Sequence, residues 1–151
     1  IATGRQMAAC MAMGAAGVWC GSVWLTTVEA ETTPTVKQKM LKATSRNTVR
    51  SRSRTGKPTR QLQSAWSDAW GAKDAPEPLA MPLQGLLSRP PMAKVDKLAE
   101  SGHDGAKNLA AYFVGQAVGL MNTEQSARSV VADFMKDYAE AVERLSGTLH
   151  E

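Results

Sequence analysis

The sequence predicts an α/β fold built on parallel strands, and three observations predict it. Residues 6–28 carry no charge, and inside that run Gly14 separates a helix-like stretch from the short apolar run Ala16–Cys20. A helix, a two-residue link and a strand too apolar for an edge make the αβ half of a parallel repeat. Thirdly, the chain opens on Ile1-Ala2-Thr3-Gly4 and has 151 residues. A whole β/α barrel takes about 250, so the sequence is expected to be a piece of a larger protein.

Taken in order, Thr3 is placed to cap a helix over Gly4–Met13, with Gly14 as its stop. The strand Ala16–Cys20 follows and ends at the Gly21-Ser22 turn. Thr33-Pro34 signals a new helix, expected over Val36–Thr44. Asn47–Ser53 reads as an exposed strand, and Thr55-Gly56-Lys57-Pro58 as a turn. Arg60–Trp70 is expected to be a helix, because Leu62, Trp66 and Trp70 recur every four residues. Pro76, Pro78, Pro82, Pro90 and Pro91 bracket a connector with short helices over Pro82–Ser88 and Ala93–Ser101. Gly102-His103-Asp104-Gly105 is a loop and Asn108–Met121 an apolar helix interrupted by Gly115 and Gly119. Asn122 or Thr123 caps the clearest helix, whose Ala127, Val130, Val131, Phe134, Tyr138, Ala141, Val142 and Leu145 share one face until Gly147.

The net charge is +4, unevenly spread. Residues 32–67 hold no acid, yet carry Lys37, Lys39, Lys42, Arg46, Arg50, Arg52, Arg54, Lys57 and Arg60. Without interleaved aromatic residues this reads as a solvated insertion rather than a nucleic-acid patch. Cys10 and Cys20 lie among apolar residues with no metal-ligand spacing, which fits free thiols in a reducing, cytoplasmic compartment. The uncharged run is long enough to span a bilayer. Gly14, Gly17 and Gly21 break it, and alanine outnumbers leucine, so a buried helix and strand is the better reading.

Gly21-Ser22 is the sharpest candidate site. A buried strand ending in glycine lets an anion reach the backbone, and the next N–H groups and the Ser22 hydroxyl can donate to it. His103 beside Asp104 reads as a solvated turn rather than a catalytic pair, and His150 as part of a tail. Trp66 and Trp70 suit helix docking better than ring stacking on a ligand. Lys57 and Arg60 read as surface charge.

Ile1-Ala2-Thr3-Gly4-Arg5-Gln6 followed by Met13-Gly14-Ala15-Ala16-Gly17-Val18-Trp19-Cys20-Gly21-Ser22-Val23-Trp24-Leu25 resembles the last barrel repeats of the nitronate monooxygenase (2-nitropropane dioxygenase) family. The likeness continues at Glu29, at Asn47-Thr48-Val49 and at Thr55-Gly56-Lys57-Pro58-Thr59-Arg60, similar to the family's Ser-Gly-Lys-Pro-Ala-Arg. It resumes at Val114-Gly115-Gln116-Ala117-Val118-Gly119 and in the final helix. The resemblance implies the C-terminal part of an FMN-binding TIM (β/α)8 barrel with a mostly helical insertion. Residues 1–30 would be helix 7 and strand 8, 31–106 the substrate-covering insertion and connector, and 107–151 helices packing on the barrel. It implies FMN phosphate at Trp19, Cys20, Gly21 and Ser22, where the family often has Gln-Met-Gly-Thr, and a flavin contact at Gln116. The catalytic base and the strand-7 glycine would lie upstream of Ile1, so no catalytic residue and no metal ligand is assigned. The implied activity is oxidation of alkyl nitronates with O₂, with no nucleic-acid or membrane partner. Flavin-dependent enoyl-ACP reductases are similar in architecture and give the alternative enzyme. A basic helical nucleic-acid-binding module over Thr32–Ser67 is the alternative of another class.

Overall fold

The structure is a computed structural model, and it describes residues 1–148. His150 lies outside the described residues. Two compact units divide the chain: residues 1–31 with 123–151, and residues 32–122.

The first unit is built on two helices, α1 (Gly4–Ala12) and α6 (Ala127–Gly147). Thr3 caps α1, its Oγ1 accepting the Gln6 N–H at 3.3 Å, while Gln6 Oε1 accepts the Ala2 N–H at 2.7 Å. Gly14, at φ 98°, provides the left-handed residue that ends the turn. α1 lies tight on α6 at Gly4, where a Cβ would strike the Phe134 carbonyl oxygen and the Tyr138 nitrogen. Arg5 fixes the register beside it. Its backbone N–H donates to Asp137 Oδ2 at 2.7 Å, and its Nε donates to Oδ1 at 2.9 Å. The N-cap of α6 is Ser126, four residues beyond Asn122, with its Oγ accepting the Ser129 N–H at 3.0 Å. Just before it, Thr27 pairs with Gln125, and the Val28 N–H donates to the Gln125 carbonyl at 2.9 Å. Glu29 then accepts the Ala127 N–H at 2.9 Å, a carboxylate at the positive end of α6.

The expected strand Ala16–Cys20 is not formed: these residues have neither helix nor ladder, and a 3₁₀ turn follows over Ser22–Thr26. A parallel strand exists only through its neighbours, and among the described residues no strand pairs with this run.

In the second unit Pro34 starts α2 (Pro34–Lys42), which buries Val36 and Met40. A 3₁₀ turn, Ser45–Asn47, leads into β1 (Thr48–Ser51), which pairs antiparallel with β2 (Thr59–Leu62) from Thr48↔Leu62 to Ser51↔Thr59. The helix expected over Arg60–Trp70 is therefore half strand, and α3 covers only Ala65–Trp70 behind Ser64. Pairing on both edges of β2 overrides the four-residue spacing. On its second edge the Leu62 N–H donates to the Tyr112 carbonyl at 3.0 Å and the Val114 N–H to the Arg60 carbonyl at 3.3 Å. The same pairing holds Ala110–Val114 out of the helix expected over Asn108–Met121, leaving the helix end at Asn108 and Leu109 and a 3₁₀ turn at Gln116–Leu120. Gly119 there lies against the backbone of Thr44 and Ser45, with no space for a Cβ.

Between these parts runs α4 (Leu83–Glu100), one continuous helix where two short ones were expected. Pro90 and Pro91 remove the N–H groups that would meet the Leu86 and Leu87 carbonyls. All four residues are on the exposed side, so water can satisfy those carbonyls, while Gln84, Gly85, Ser88 and Met92 hold the other face buried. His103 is an N-cap rather than a plain loop residue: its Nδ1 accepts the Ala106 N–H at 3.2 Å and opens α5 (Asp104–Leu109). Lys39 closes the same helix, its Nζ donating to the carbonyls of Lys107 and Ala110, both at 2.6 Å. Burial lowers its pKa.

A buried polar cluster fixes the turn between β1 and β2. Gln84, fully buried, donates from Nε2 to the Ser53 carbonyl at 2.7 Å and accepts the Leu79 N–H at 2.9 Å. Ser88 Oγ donates to the Arg54 carbonyl at 2.6 Å. Gly56, at φ 83°, is pressed on the Leu79–Met81 backbone.

Candidate functional site

The uncharged segment that follows α1 carries the phosphate candidates. Trp19 is 94% exposed, and Cys20 is half-buried with its carbonyl accepting the Trp24 indole N–H at 2.8 Å. Gly21 precedes the Ser22–Thr26 3₁₀ turn, at φ −113° and ψ −59°. Ser22, the candidate hydroxyl donor, is the first residue of that turn. The bend Trp24 makes on the Cys20 carbonyl keeps this start in shape.

The glycines sort by what requires them. Gly4, Gly56 and Gly119 are each needed inside the chain, because a Cβ there meets backbone. Gly17 and Gly21 have ordinary φ, and a Cβ at either would have open space around it. Nothing within the described residues requires glycine at these two positions. Close approach of a group to the backbone, as by a bound phosphate, is one use of glycine at such a position. Backbone N–H groups at the start of this turn are of the kind that can hold a phosphate. Arg5, in the same unit, is engaged with Asp137.

Beside this turn lies an apolar groove of about 430 Å³, lined by Met7 of α1, by Val18, Trp19, Cys20 and Trp24, and by Val131, Phe134 and Met135 of α6. The sequence reading assigned no role to Met7, Trp24 or Met135. Their signal was the apolar face of each helix, which does not tell a groove from a core.

Gln116 belongs to the other unit, where it is exposed at the start of the Gln116–Leu120 turn. Of the basic run, Lys39, Arg52, Arg54 and Arg60 are tied to their own unit. Arg52 donates to the Gly56 carbonyl at 3.0 Å, and Arg60 to Thr48 Oγ1 at 3.0 Å. Arg54 donates to the Ala111 carbonyl at 2.8 Å and lies 5.2 Å from the centre of the Phe113 ring. Trp66 and Trp70 contact each other at 6.1 Å between ring centres. Among the described residues, no helix is long and apolar enough to cross a membrane.

Solved structures place these elements in a class. Nitroalkane oxidase from Streptomyces ansochromogenes matches with a TM-score of 0.80 at 28% identity, over 96% of this chain and 39% of that one. FabK from Thermotoga maritima matches with a TM-score of 0.68 at 29% identity, over 98% of this chain and 45% of that one. The chain is also 54% identical over 147 residues to a Mycobacterium tuberculosis (strain ATCC 25618 / H37Rv) protein named provisionally as monooxygenase Rv1533. It spans 97% of this chain but 39% of the relative's length. The nitronate monooxygenase family profile matches residues 1–137, and the chain belongs to that family.

Proposed function

We propose that this chain is part of an FMN-dependent oxidoreductase of the TIM-barrel type that oxidises alkyl nitronates with O₂, and that Gly21 and Ser22 hold the FMN phosphate. The observation that carries the site is Gly21: its conformation and surroundings leave glycine unexplained until an external group approaches the backbone. The family supports the reaction class, and the nitroalkane oxidase likeness supports a substrate with an oxidisable nitro-bearing carbon. Bound flavin supplies the redox chemistry. This chain's residues do less: the Ser22–Thr26 turn offers N–H donors, Ser22 adds a hydroxyl, and Trp24 braces the turn through the Cys20 carbonyl. Gln116 is proposed as an amide contact to the flavin. The nitronate and O₂ remain the proposed small-molecule partners, in a cytoplasmic protein.

The test uses the chain joined to the whole length that its relatives have. Titration with FMN should give a yellow complex, and Gly21→Val should weaken FMN binding by tenfold or more, with Ser22→Ala weaker by a few-fold. A full-length protein that takes up no flavin ends the proposal. The FabK likeness, at almost the same identity as the nitroalkane oxidase, favours a second reading, the flavin-dependent enoyl-ACP reductase. Oxidation of a reduced nicotinamide with no nitronate consumption would select it.

A further inference from the structure

The hairpin of the second unit sets two arginines against each other. In the register of β1 and β2, Arg50 stands directly opposite Arg60. At these positions the backbone of β2 bonds away from β1: the Arg60 carbonyl accepts the Val114 N–H, and the Leu62 N–H donates to the Tyr112 carbonyl. Toward β1, then, Arg50 and Arg60 are a non-hydrogen-bonded pair. In such a pair opposed residues come closest, with Cα atoms about 4.5 Å apart. Both side chains leave the same face of the hairpin, and like charges placed there repel.

The chain offers this pair no neutralising acid. Residues 32–67 hold none, and the next one, Asp68, accepts from the Gln63 amide at 2.9 Å. Among the described residues neither guanidinium has a carboxylate partner. The arginines of the adjoining turn differ, since Arg52 is spent on the Gly56 carbonyl and Arg54 on the Ala111 carbonyl. Arg60 is half-buried and held in place, its Nη1 donating to Thr48 Oγ1 at 3.0 Å. Thr48 lies on the same face, two residues before Arg50. Arg50 is exposed. Each guanidinium carries five N–H donors in a fixed fork, so most of the donors of the pair are unspent. A multiply charged oxyanion between the two forks would turn the repulsion into charge-assisted hydrogen bonds.

We infer that Arg50 and Arg60, with Thr48 positioning Arg60, form a binding site for a phosphoryl anion: free phosphate or the phosphorylated end of a small molecule. The site belongs to residues 32–122, whereas Gly21 and Ser22 belong to the other unit, and the inference does not use the flavin reading.

The protein, in the whole length that its relatives have, is titrated by calorimetry with inorganic phosphate and, separately, with glycerol phosphate at fixed ionic strength. Saturable binding is expected for at least one of them. Tighter binding of either supports the site and tells a free anion from an esterified one. Arg50→Gln and Arg60→Gln should each weaken it tenfold or more, and Thr48→Val a few-fold. Arg50→Lys, which keeps the charge and loses the fork, should retain part of the affinity. Arg50→Glu should abolish binding and yet raise the thermal midpoint by about 1–2 °C, because it sets an acid across from Arg60. Lys136→Gln, in the other unit, should change neither. The inference is overturned by no saturable binding, by equal binding of chloride, or by indifference to both Arg50→Gln and Arg60→Gln. Arg50→Glu that lowers the midpoint while binding persists also overturns it, as does binding lost in Gly21→Val but kept in Arg50→Gln. Arg50-dependent binding by a protein that takes up no FMN would leave this site in place and remove only the flavin proposal.

Discussion

The two units solve the same packing problem differently. Residues 32–122 are knit by buried polar contacts: Gln84 bridges Ser53 and Leu79, Ser88 holds Arg54, and Lys39 closes α5. Residues 1–31 with 123–148 hold together through one close helix crossing at Gly4, the Arg5–Asp137 clasp and the Glu29 cap, and leave Trp19, Met13 and a groove facing outward. One unit builds its interior on polar contacts between distant residues. The other keeps apolar surface and unexplained glycines beside the proposed phosphate turn, the arrangement of an element whose neighbours complete it.

Substitutions at the tightest point of each unit should produce the largest effects. Gly4→Val forces α1 off the α6 backbone and should cost about 3 kcal/mol, read as a lower urea midpoint from Trp24 emission. Gly56→Ala combines a left-handed φ with contact on the Leu79–Met81 backbone. It should cost roughly 2–4 kcal/mol, read from Trp66 and Trp70. A Gly4→Val protein of parent stability would mean that α1 is not seated as described. Gln84→Leu comes next, leaving the Ser53 carbonyl and Leu79 N–H without their side-chain partner, with a loss of about 1–3 kcal/mol.

The smallest effects come from two carboxylates shifted in opposite senses, one in each unit. The hydrogen bonds from Arg5 hold the Asp137 carboxyl below its ordinary value. The stability it adds is fully present above the unfolded carboxylate value, about 3.9, and is lost as pH falls through the lower folded value. Asp137→Asn should therefore destabilise at neutral pH, with a difference that fades on acidification and with salt. Burial raises the Asp96 carboxyl, opposed by nearby Arg54, and its Oδ1 has no hydrogen-bond partner. Here the charged form is the disfavoured one in the folded chain. Asp96→Asn should stabilise slightly at pH 7, and the gain should vanish as pH falls through the raised folded value to the unfolded one. Stability profiles of both variants against pH, in low and high salt, check the two signs.

How much of this was legible in the sequence differs between the units. Thr3, Gly14, Pro34 and the Thr55–Pro58 turn act through their own backbone chemistry, and each stands where local rules put it. The misreadings share one cause. Leu62, Trp66 and Trp70 recur at helical spacing, yet β2 forms because Thr48–Ser51 and Ala110–Val114 bond it from both sides. Pro90-Pro91 marks a break by local rules, yet α4 continues because its opposite face is buried. Ala16–Cys20 has the composition of a strand and lacks one because a ladder needs a second chain segment. In the candidate site, Gly21 and Ser22 stand out by composition alone, whereas the contributions of Met7, Trp24, Phe134 and Met135 depend on how α1 crosses α6.

The sequence by itself determined the Thr3 cap, the Gly14 stop, the Pro34 start, the Thr55–Pro58 turn, the uncharged run and the family, because each is written in residues a few positions apart. Only the tertiary structure decided which apolar segments became strand, helix or open edge. Burial and hydrogen-bond pairing between distant residues outweigh local propensity by several kcal/mol wherever the two compete.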